Sequence, residues 1–429
     1  MPAQTVYSNR PDNRESSDRL ASLTVGPADR EKAQLIADMY NAALGKLGVM
    51  AAGHEPYPDP SLFSREGIVS DIDSDERKLV VAELDGRPVG AMIIDKIHDH
   101  ACEFNCMAVR LDCRGLGLGR PIVEACRRLV DETFFTANST ELVTHSLASQ
   151  RAHFASGYNR LTGFGFCQYP RVFFKNHPES CLWATMLQGH LARELPDLRA
   201  KLGKSIGVPL SEFRMHLTAV GRGFAGLTDY EAELAYDVMR KRNIYVPPAY
   251  AQLAGSILAQ FSDSLDYTVD TSGAGAGQTD GARASAAVEI DFKEGFEHSY
   301  IYLPPAFDPG AGLKPLAAAI EKLRSAGKRF ILVRMRANYA STIETAEFLR
   351  SQGFVFHTLV PLYMSTARDG TRPPVLDDML GMQWVAPYVL AQNPLPGDTG
   401  SVVQLHGYPE NLSGQIVGTI RAELRRQKP

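Results

Sequence analysis

The stretch Glu103–Val130, EFNCMAVRLDCRGLGLGRPIVEACRRLV, is the part of this 429-residue chain that most constrains its fold. An apolar run of strand type enters a glycine-rich turn and leaves it as PIVEACRRLVDETFF, whose apolar positions recur at helical spacing. Pro121 falls in the first helical turn, where its missing N–H costs little. Such a turn presents backbone N–H groups and a helix N-terminus to an anion. Gly117 and Gly119 let the backbone come close without a Cβ clash, and Gly115 eases the turn. Arg114 and Arg120 flank the turn and can add charge-assisted bonds to phosphate. No Gly-Lys-Ser/Thr follows, which separates the turn from a nucleotide P-loop. GLGLG also lacks the dinucleotide spacing, and its strand stands fourth among antiparallel neighbours rather than first in a βαβ unit.

The neighbouring segments supply that context. EKAQLIADMYNAALGKLG has a helical pattern, with Leu35, Ile36, Met39, Tyr40 and Leu44 near one face. KLVVAELDGRPVGAMIIDKI reads as a hairpin, because Asp85-Gly86 tolerates the positive φ of a tight turn. After the glycine turn come a strand in ELVTHSL, a helix in SQRAHFASGYNRL and a strand in FGFCQYPRVFF. Residues 192–210 read as a connector, followed by a strand near 211–219 and helices in YEAELAYDVMRKRN and PAYAQLAGSILAQFSD. Residues 272–287, SGAGAGQTDGARASAA, have the composition of a flexible surface loop. Beyond it, RFILVRM, STIETAEFLRSQG and FVFHTLVPLYM repeat the strand–helix–strand order of the first half.

Composition limits the function classes. Hydrophobic residues make up 44% and charged residues 22%, enough apolar material for sizeable cores. The formal net charge of −4 gives no electrostatic footprint for nucleic acid. No apolar run approaches the roughly 20 residues that span a bilayer. The opening residues lack the apolar core of a signal peptide, so a cytoplasmic location is expected, with neither membrane nor nucleic acid as partner. The six cysteines, Cys102, Cys106, Cys113, Cys126, Cys167 and Cys181, contain no CxxC pair and read as reduced thiols.

At Arg114-x-x-Gly117-x-Gly119 the sequence resembles the GCN5-related N-acetyltransferase (GNAT) superfamily, whose signature after the fourth strand is Arg/Gln-x-x-Gly-x-Gly/Ala. The preceding hairpin, the strand end Ala108-Val109 before Arg114, and Gly163-Phe164 after the next helix extend the likeness over about residues 30–175. The resemblance implies an α/β (α+β) fold of two tandem acyl-CoA N-acyltransferase-like domains, each a mixed, mostly antiparallel sheet flanked by helices. The expected organisation is a flexible tail at 1–28, a domain with the acyl-CoA site at 29–190 and a connector at 191–210. A degenerate domain at 211–390 follows, with a flexible insertion at 268–287, and then a C-terminal extension at 391–429.

The resemblance also implies a cofactor site. The loop amides of Arg114, Gly115, Leu116, Gly117, Leu118, Gly119 and Arg120 would bind the pyrophosphate of acetyl-CoA or another acyl-CoA. Met107, Ala108 and Val109 would pair with its pantetheine arm. Amine acylation needs a base for the ammonium and an acid for the departing thiolate. Glu103, eleven residues before Arg114, matches the family's base position in some members, and Tyr158 is the nearest candidate for its acid. Tyr158 sits one residue off the usual distance to the Gly-Phe pair. His145 ends the fifth strand and is a candidate base or substrate ligand. His98, His100 and Cys102 alternate on an extended segment but lack a fourth ligand, so no metal is expected.

The second half departs from the family at LPPAFDPGAGLKP, where no arginine or glutamine precedes Gly310-Ala311-Gly312 and Asp308 would repel phosphate. The expected function is acyl-CoA-dependent N-acyl transfer to a small-molecule or peptide amine, as a monomer or homodimer. Two alternatives stay open: an idle acyl-CoA-binding regulatory protein, and other thioester chemistry such as O-acyl transfer or decarboxylation.

Overall fold

The computed structural model describes residues 20–45, 57, 59–144, 147–174, 177–202, 208–220, 224, 226–273, 285–294, 296–366, 372–396, 398 and 410–426. The chain divides into two compact units: Met1–Asp95 with Phe104–Arg127, and Lys96–Glu103 with Arg128–Pro429.

In the first unit the elements run β1 (Thr24–Pro27), α1 (Ala33–Ala43), α2 (Arg65–Asp73), β2 (Arg77–Leu84), β3 (Arg87–His98), β4 (Ala101–Val109) and α3 (Gly119–Asp131). The last residues of β3, the first of β4 and the last of α3 are counted with the second unit. The sheet order is β1-β2-β3-β4. The β2–β3 hairpin turns at Asp85 (φ 50°) and Gly86 (φ 73°), the doubly positive pair that suits a tight turn. β1 lies inside the segment expected as a tail, yet it pairs antiparallel with β2 from Thr24↔Glu83 to Pro27↔Val80. Sheet edges recruit short extended segments whose composition alone looks like a tail. Helix α1 buries Ile36, Met39 and Tyr40 against Leu79, Val81, Ala91 and Ile93. Leu35, expected on that face, is 50% exposed, because a single-residue step turns a helical side chain by about 100°. Ser64 caps α2 by accepting from the Gly67 N–H at 3.1 Å. A Cβ at Gly67 would stand 2.0 Å from the Ser61 carbonyl oxygen, so only glycine fits there.

The second unit begins with β5 (Thr136–Val143), α4 (Leu147–Ala155), β6 (Arg160–Phe174) and β7 (His177–Gln188). Next come α5 (His190–Leu202), α6 (Leu210–Val220), α7 (Asp229–Met239), β8 (Arg242–Tyr245), α8 (Ala251–Ala259) and β9 (Tyr267–Asp270). Then follow β10 (Glu289–Asp291), β11 (His298–Tyr302), α9 (Pro309–Ser325), β12 (Phe330–Arg336), α10 (Ser341–Ser351), β13 (Val355–Thr366) and β14 (Val375–Val385). The chain closes with α11 (Pro387–Gln392) and α12 (Glu410–Arg426). The large sheet of this unit reads β5-β7-β6-β13-β14-β12-β11-β10. Outward from its centre, β6-β7-β5 and β13-β14-β12 repeat one order, and each set is built from strand, helix, strand, strand. β11 and β12 are parallel, while β12–β14, β14–β13 and β13–β6 are antiparallel. At the centre Gly163 pairs with Thr358, and a Cβ there would meet the His357 carbonyl oxygen at 2.3 Å. Gln383 completes the junction, donating to the carbonyls of Phe164 and Phe356, both at 2.9 Å.

Two expectations, a connector and a strand, give way to helices. Residues 191–202 lie within α5, which buries Leu191, Leu195 and Leu198 in the same cluster as Phe213 and Leu217 of α6 and Leu234 of α7. The strand expected near 211–219 is α6: Phe213 and Leu217 stand four apart, a helical rather than an alternating repeat. Residues 274–284 of the expected insertion lie outside the described residues, and Tyr267–Asp270 at its start pair parallel with β8. The C-terminal extension contains α12, whose buried Glu423 accepts from Arg350 Nε (2.6 Å), the Tyr250 hydroxyl (2.7 Å) and the Phe356 N–H (3.1 Å). Among the described residues no helix is long and apolar enough to cross a membrane.

Buried histidines make the second unit acid-sensitive. His153 is 1% exposed, donates from Nδ1 to the Ser149 carbonyl at 2.9 Å, and leaves a buried Nε2 without a partner. Burial pushes its pKa down to about 4. The unfolded chain therefore binds more protons than the folded one between about pH 6.5 and 4, and stability is lost as pH falls through that window. His153 should cost about 2 kcal/mol by pH 5. Urea melts at pH 7 and 5 check this: His153→Gln should flatten the acid loss, and an unchanged slope would contradict it.

Candidate active site

The glycine turn folds as the strand-to-helix sequence requires. After β4 the chain makes one short helical turn at Leu111–Cys113, with the Arg110 guanidinium clasping Asp112 (Nε to carboxylate 2.9 Å). Gly115 (φ 86°) and Gly117 (φ 80°) then take left-handed conformations that an L side chain adopts only under strain. No atom lies within 4 Å of the place a Cβ would occupy at either one, so the strain, not a neighbour, demands glycine. Leu116 and Leu118 turn inward and are buried, which leaves the exposed backbone of Gly115 and Gly117 in front of the first turn of α3. The N–H groups of a first helical turn have no intrahelical acceptor. Exposed Arg114 donates from Nε to the Val109 carbonyl at 3.4 Å, and exposed Arg120 pairs with Glu124 at 2.7 Å. The residues present fit a pyrophosphate: an open cradle, a helix N-terminus and two guanidinium groups beside it.

β4 is irregular where it approaches this turn. Cys106 has φ 52° in mid-strand, and the Tyr40 hydroxyl donates to its carbonyl at 3.2 Å. A positive φ at a non-glycine strand residue marks a local twist of the strand, held by its surroundings. The Cys106 thiol donates to the Tyr57 hydroxyl at 3.3 Å, and burial holds its pKa well above the usual thiol range. It is an inert thiol, unsuited to carry an acyl group. Ala108 is buried and Met107 and Val109 are half-buried. A Cβ on Gly90 of β3 would strike Ile122 Cδ1 at 2.8 Å and approach the Ala108 carbonyl to 3.1 Å, so α3, β3 and β4 pack closely at this end.

The acid–base candidates belong to the second unit. Glu103 is half-buried on β4, and its charge is felt by Tyr300, Tyr363 and Cys181, whose burial is the larger cause of their raised pKa values. Tyr158 is fully buried, edge-on to His153 at 5.4 Å between ring centres. His145 lies outside the described residues. His98 packs edge-on against Tyr363 at 6.3 Å, whereas His100 bonds the Phe135 carbonyl (3.3 Å) and the Tyr230 hydroxyl (2.8 Å). Among the described residues no group of three or more metal-ligating side chains converges.

Residues 75–156 match the family model described as an acetyltransferase (GNAT) domain. The chain carries a GNAT acetyltransferase domain. Solved structures that match part of the chain include the ribosomal-protein-S18-alanine N-acetyltransferase of Escherichia coli, with 14% identity and TM-score 0.30, covering 39% of this chain and 95% of that one. The ribosomal-protein-S5-alanine acetyltransferase of Vibrio fischeri has 14% identity and TM-score 0.32, covering 39% and 93%. A putative acetyltransferase of Salmonella typhimurium, solved with its cofactor acetyl-CoA, has 17% identity and TM-score 0.30, covering 38% and 93%. No curated protein matches the chain.

Outside the GNAT match, the turn after β11 is built to the opposite effect. Asp308 caps α9 by accepting from the Gly310 N–H at 2.9 Å, so a carboxylate already occupies the helix N-terminus. The Phe307 ring fills the space in front of Gly312, where a Cβ would stand 2.3 Å from it. The strand end is closed as well: the Leu303 N–H donates to the Arg334 carbonyl at 3.0 Å, and Arg336 Nη1 donates to the Leu303 carbonyl at 3.0 Å.

A buried polar centre in the second unit escaped the sequence reading. Arg334 on β12 lies over the rings of Tyr300 (4.8 Å), Tyr302 (5.5 Å) and Trp183 (5.5 Å). Nearby, Gln168 donates to Glu141 at 2.7 Å and accepts from Trp183 Nε1 at 3.1 Å. Two signals point to this centre. SYIY alternates two tyrosines onto one strand face, and Arg334 interrupts an otherwise apolar run, FILVRM.

Proposed function

We propose that the protein is an acyl-CoA-dependent N-acyltransferase, with acetyl-CoA as co-substrate and a small-molecule or peptide amine as acceptor, acting by direct transfer. The observation that carries this reading is the open, doubly left-handed glycine cradle at the start of α3 within the GNAT domain. The backbone amides from Gly115 to Arg120 and the guanidinium of Arg114 would hold the pyrophosphate, and the end of β4 from Met107 to Val109 the pantetheine arm. Glu103, or a water it holds, takes a proton from the ammonium. The freed nitrogen attacks the thioester carbonyl, the new C–N bond forms, and the C–S bond breaks as coenzyme A leaves as thiolate. That thiolate is protonated by Tyr158 or by solvent, and the full burial of Tyr158 favours solvent. His145 is retained as a substrate ligand on its sequence position.

The second half is proposed as a cofactor-free GNAT-like repeat. Its capped helix, its ring-filled turn and its closed strand end support that reading. Its β13 covers the edge of β6, an edge strand that would otherwise expose unpaired backbone groups.

Free-thiol release from acetyl-CoA, measured against a broad panel of amines, tests the proposal. One thiol should appear for each amine acylated. Binding of acetyl-CoA without thiol release from any amine would favour the idle regulatory alternative, and thiol release with alcohols alone would favour O-acyl transfer.

A further inference from the structure

The twist in β4 is strained, and one side chain holds it. Cys106 keeps φ 52° in mid-strand, a left-handed conformation that an L side chain adopts only at a cost. Such strain persists where the surroundings over-determine it, and it gathers at sites of chemistry. Tyr40 of α1 is fully buried, and its hydroxyl donates to the Cys106 carbonyl at 3.2 Å. Burial raises this phenol well above its ordinary pKa, so the hydroxyl stays protonated and keeps donating at any working pH. At the end of the strand the ordinary ladder is in place, with the Arg110 N–H donating to the Val89 carbonyl at 2.9 Å. β11, the strand before the second glycine turn, has no positive φ and pairs with β12 residue for residue from His298↔Phe330 to Tyr302↔Arg334. The twist thus accompanies the open cradle and is absent before the turn that Asp308 caps.

Peptide planarity gives the twist a direction. The Cys106–Met107 peptide is trans, so its C=O and N–H point to opposite sides. Tyr40 draws the Cys106 carbonyl toward α1, which turns the Met107 N–H away from that helix. Ala91 of β3 packs in the α1 cluster, whereas a Cβ on its neighbour Gly90 would strike Ile122 of α3. Successive strand residues face opposite sides, so α1 and α3 cover opposite faces of the sheet. The Met107 N–H is therefore turned toward the face on which the cradle opens α3.

We propose that Tyr40 is a positioning residue for acyl transfer: by holding the Cys106 carbonyl it fixes the peptide whose Met107 N–H donates to the thioester carbonyl oxygen of bound acetyl-CoA. This rests on the reading of Met107 to Val109 as the strand that meets the coenzyme. The thioester oxygen gains negative charge as the amine attacks, so a donor fixed in advance stabilises the transition state more than the ground state. Tyr40 itself touches no reacting atom and acts through this peptide.

Tyr40→Phe removes the hydroxyl and keeps the ring that packs in the α1 cluster. It should lower kcat by about 10-fold, less than the roughly 10²-fold or more lost with a direct donor, and leave KM for acetyl-CoA nearly unchanged. Difference infrared spectra of bound acetyl-CoA, isotope-labelled at the thioester carbonyl, read the same bond without turnover. In the unaltered protein the carbonyl stretch should lie below its value in water, and Tyr40→Phe should return it toward that value. Ile36→Val, which loosens the packing of the same helix, should move neither kcat nor the stretch. An unshifted stretch in the unaltered protein would overturn the proposal even if Tyr40→Phe does not fold. Unchanged kcat and stretch in Tyr40→Phe would overturn it while leaving acyl transfer intact, and an equal response to Ile36→Val would reduce Tyr40 to packing. A stretch lowered in the unaltered protein and relaxed in Tyr40→Phe, without thiol release from any amine, would instead sink the transfer reading and keep Tyr40 as the residue that sets this peptide.

Discussion

Glu103→Gln should lower acetyl-CoA-dependent acylation by about 10²- to 10⁴-fold, the range supplied by a positioned general base. The amide keeps the shape and half-burial of the side chain on β4 but cannot accept the ammonium proton. Acetyl-CoA affinity should be unchanged, because the glycine cradle lies at the other end of the strand's sequence and is built from backbone. The variant's rate should climb roughly tenfold per pH unit toward the amine's own pKa, as solvent supplies the free amine that Glu103 otherwise provides. Steady-state kinetics from pH 6 to 10 read both effects. Unaltered turnover would remove Glu103 from the mechanism.

Asp378→Ala should destabilise the second unit by about 3–5 kcal/mol, the cost of stranding a buried charge. The Asp378 carboxylate accepts from Arg242 Nε (2.8 Å), Asn338 Nδ2 (2.7 Å), the Tyr267 hydroxyl (2.9 Å) and the Leu362 N–H (2.9 Å). One side chain thus ties β8, β9, β13 and the loop after β12 to its own strand, β14. Arg242→Met added to Asp378→Ala should recover a substantial part of the loss, since replacing the whole pair removes the orphaned charge. Urea unfolding monitored by circular dichroism measures both. A loss under about 1 kcal/mol for the single variant would show that the pair contributes no more than a surface bridge.

Much of the first unit was legible because its signals are local. A hairpin turn needs two residues with positive φ and finds them at Asp85-Gly86, and the cradle needs the same freedom at Gly115 and Gly117. These demands act on the residues themselves, so they show in the string of letters. Errors arose where tertiary context decides. β1 is a strand only because β2 offers an edge, and α5 reads as connector until Leu191, Leu195 and Leu198 are seen to meet α6. The polar centre was hidden for a further reason. Trp183, Tyr300, Arg334 and Tyr363 come from four strands spread over 181 residues, and no local pattern announces that they meet. The inert state of Cys106 also depends on burial, which only the packed structure reveals.

The central claim is that a backbone cradle at Gly115–Gly119 binds the coenzyme. Calorimetric titration of acetyl-CoA into the unaltered protein and into Gly117→Val tests it most directly. A side chain at φ 80° costs roughly 1–2 kcal/mol in backbone strain and crowds the anion, so affinity should fall about tenfold or more while circular dichroism stays unchanged. One saturable site, lost or weakened in the variant, is the predicted result. No binding to the unaltered protein, or equal binding to both, would contradict the account.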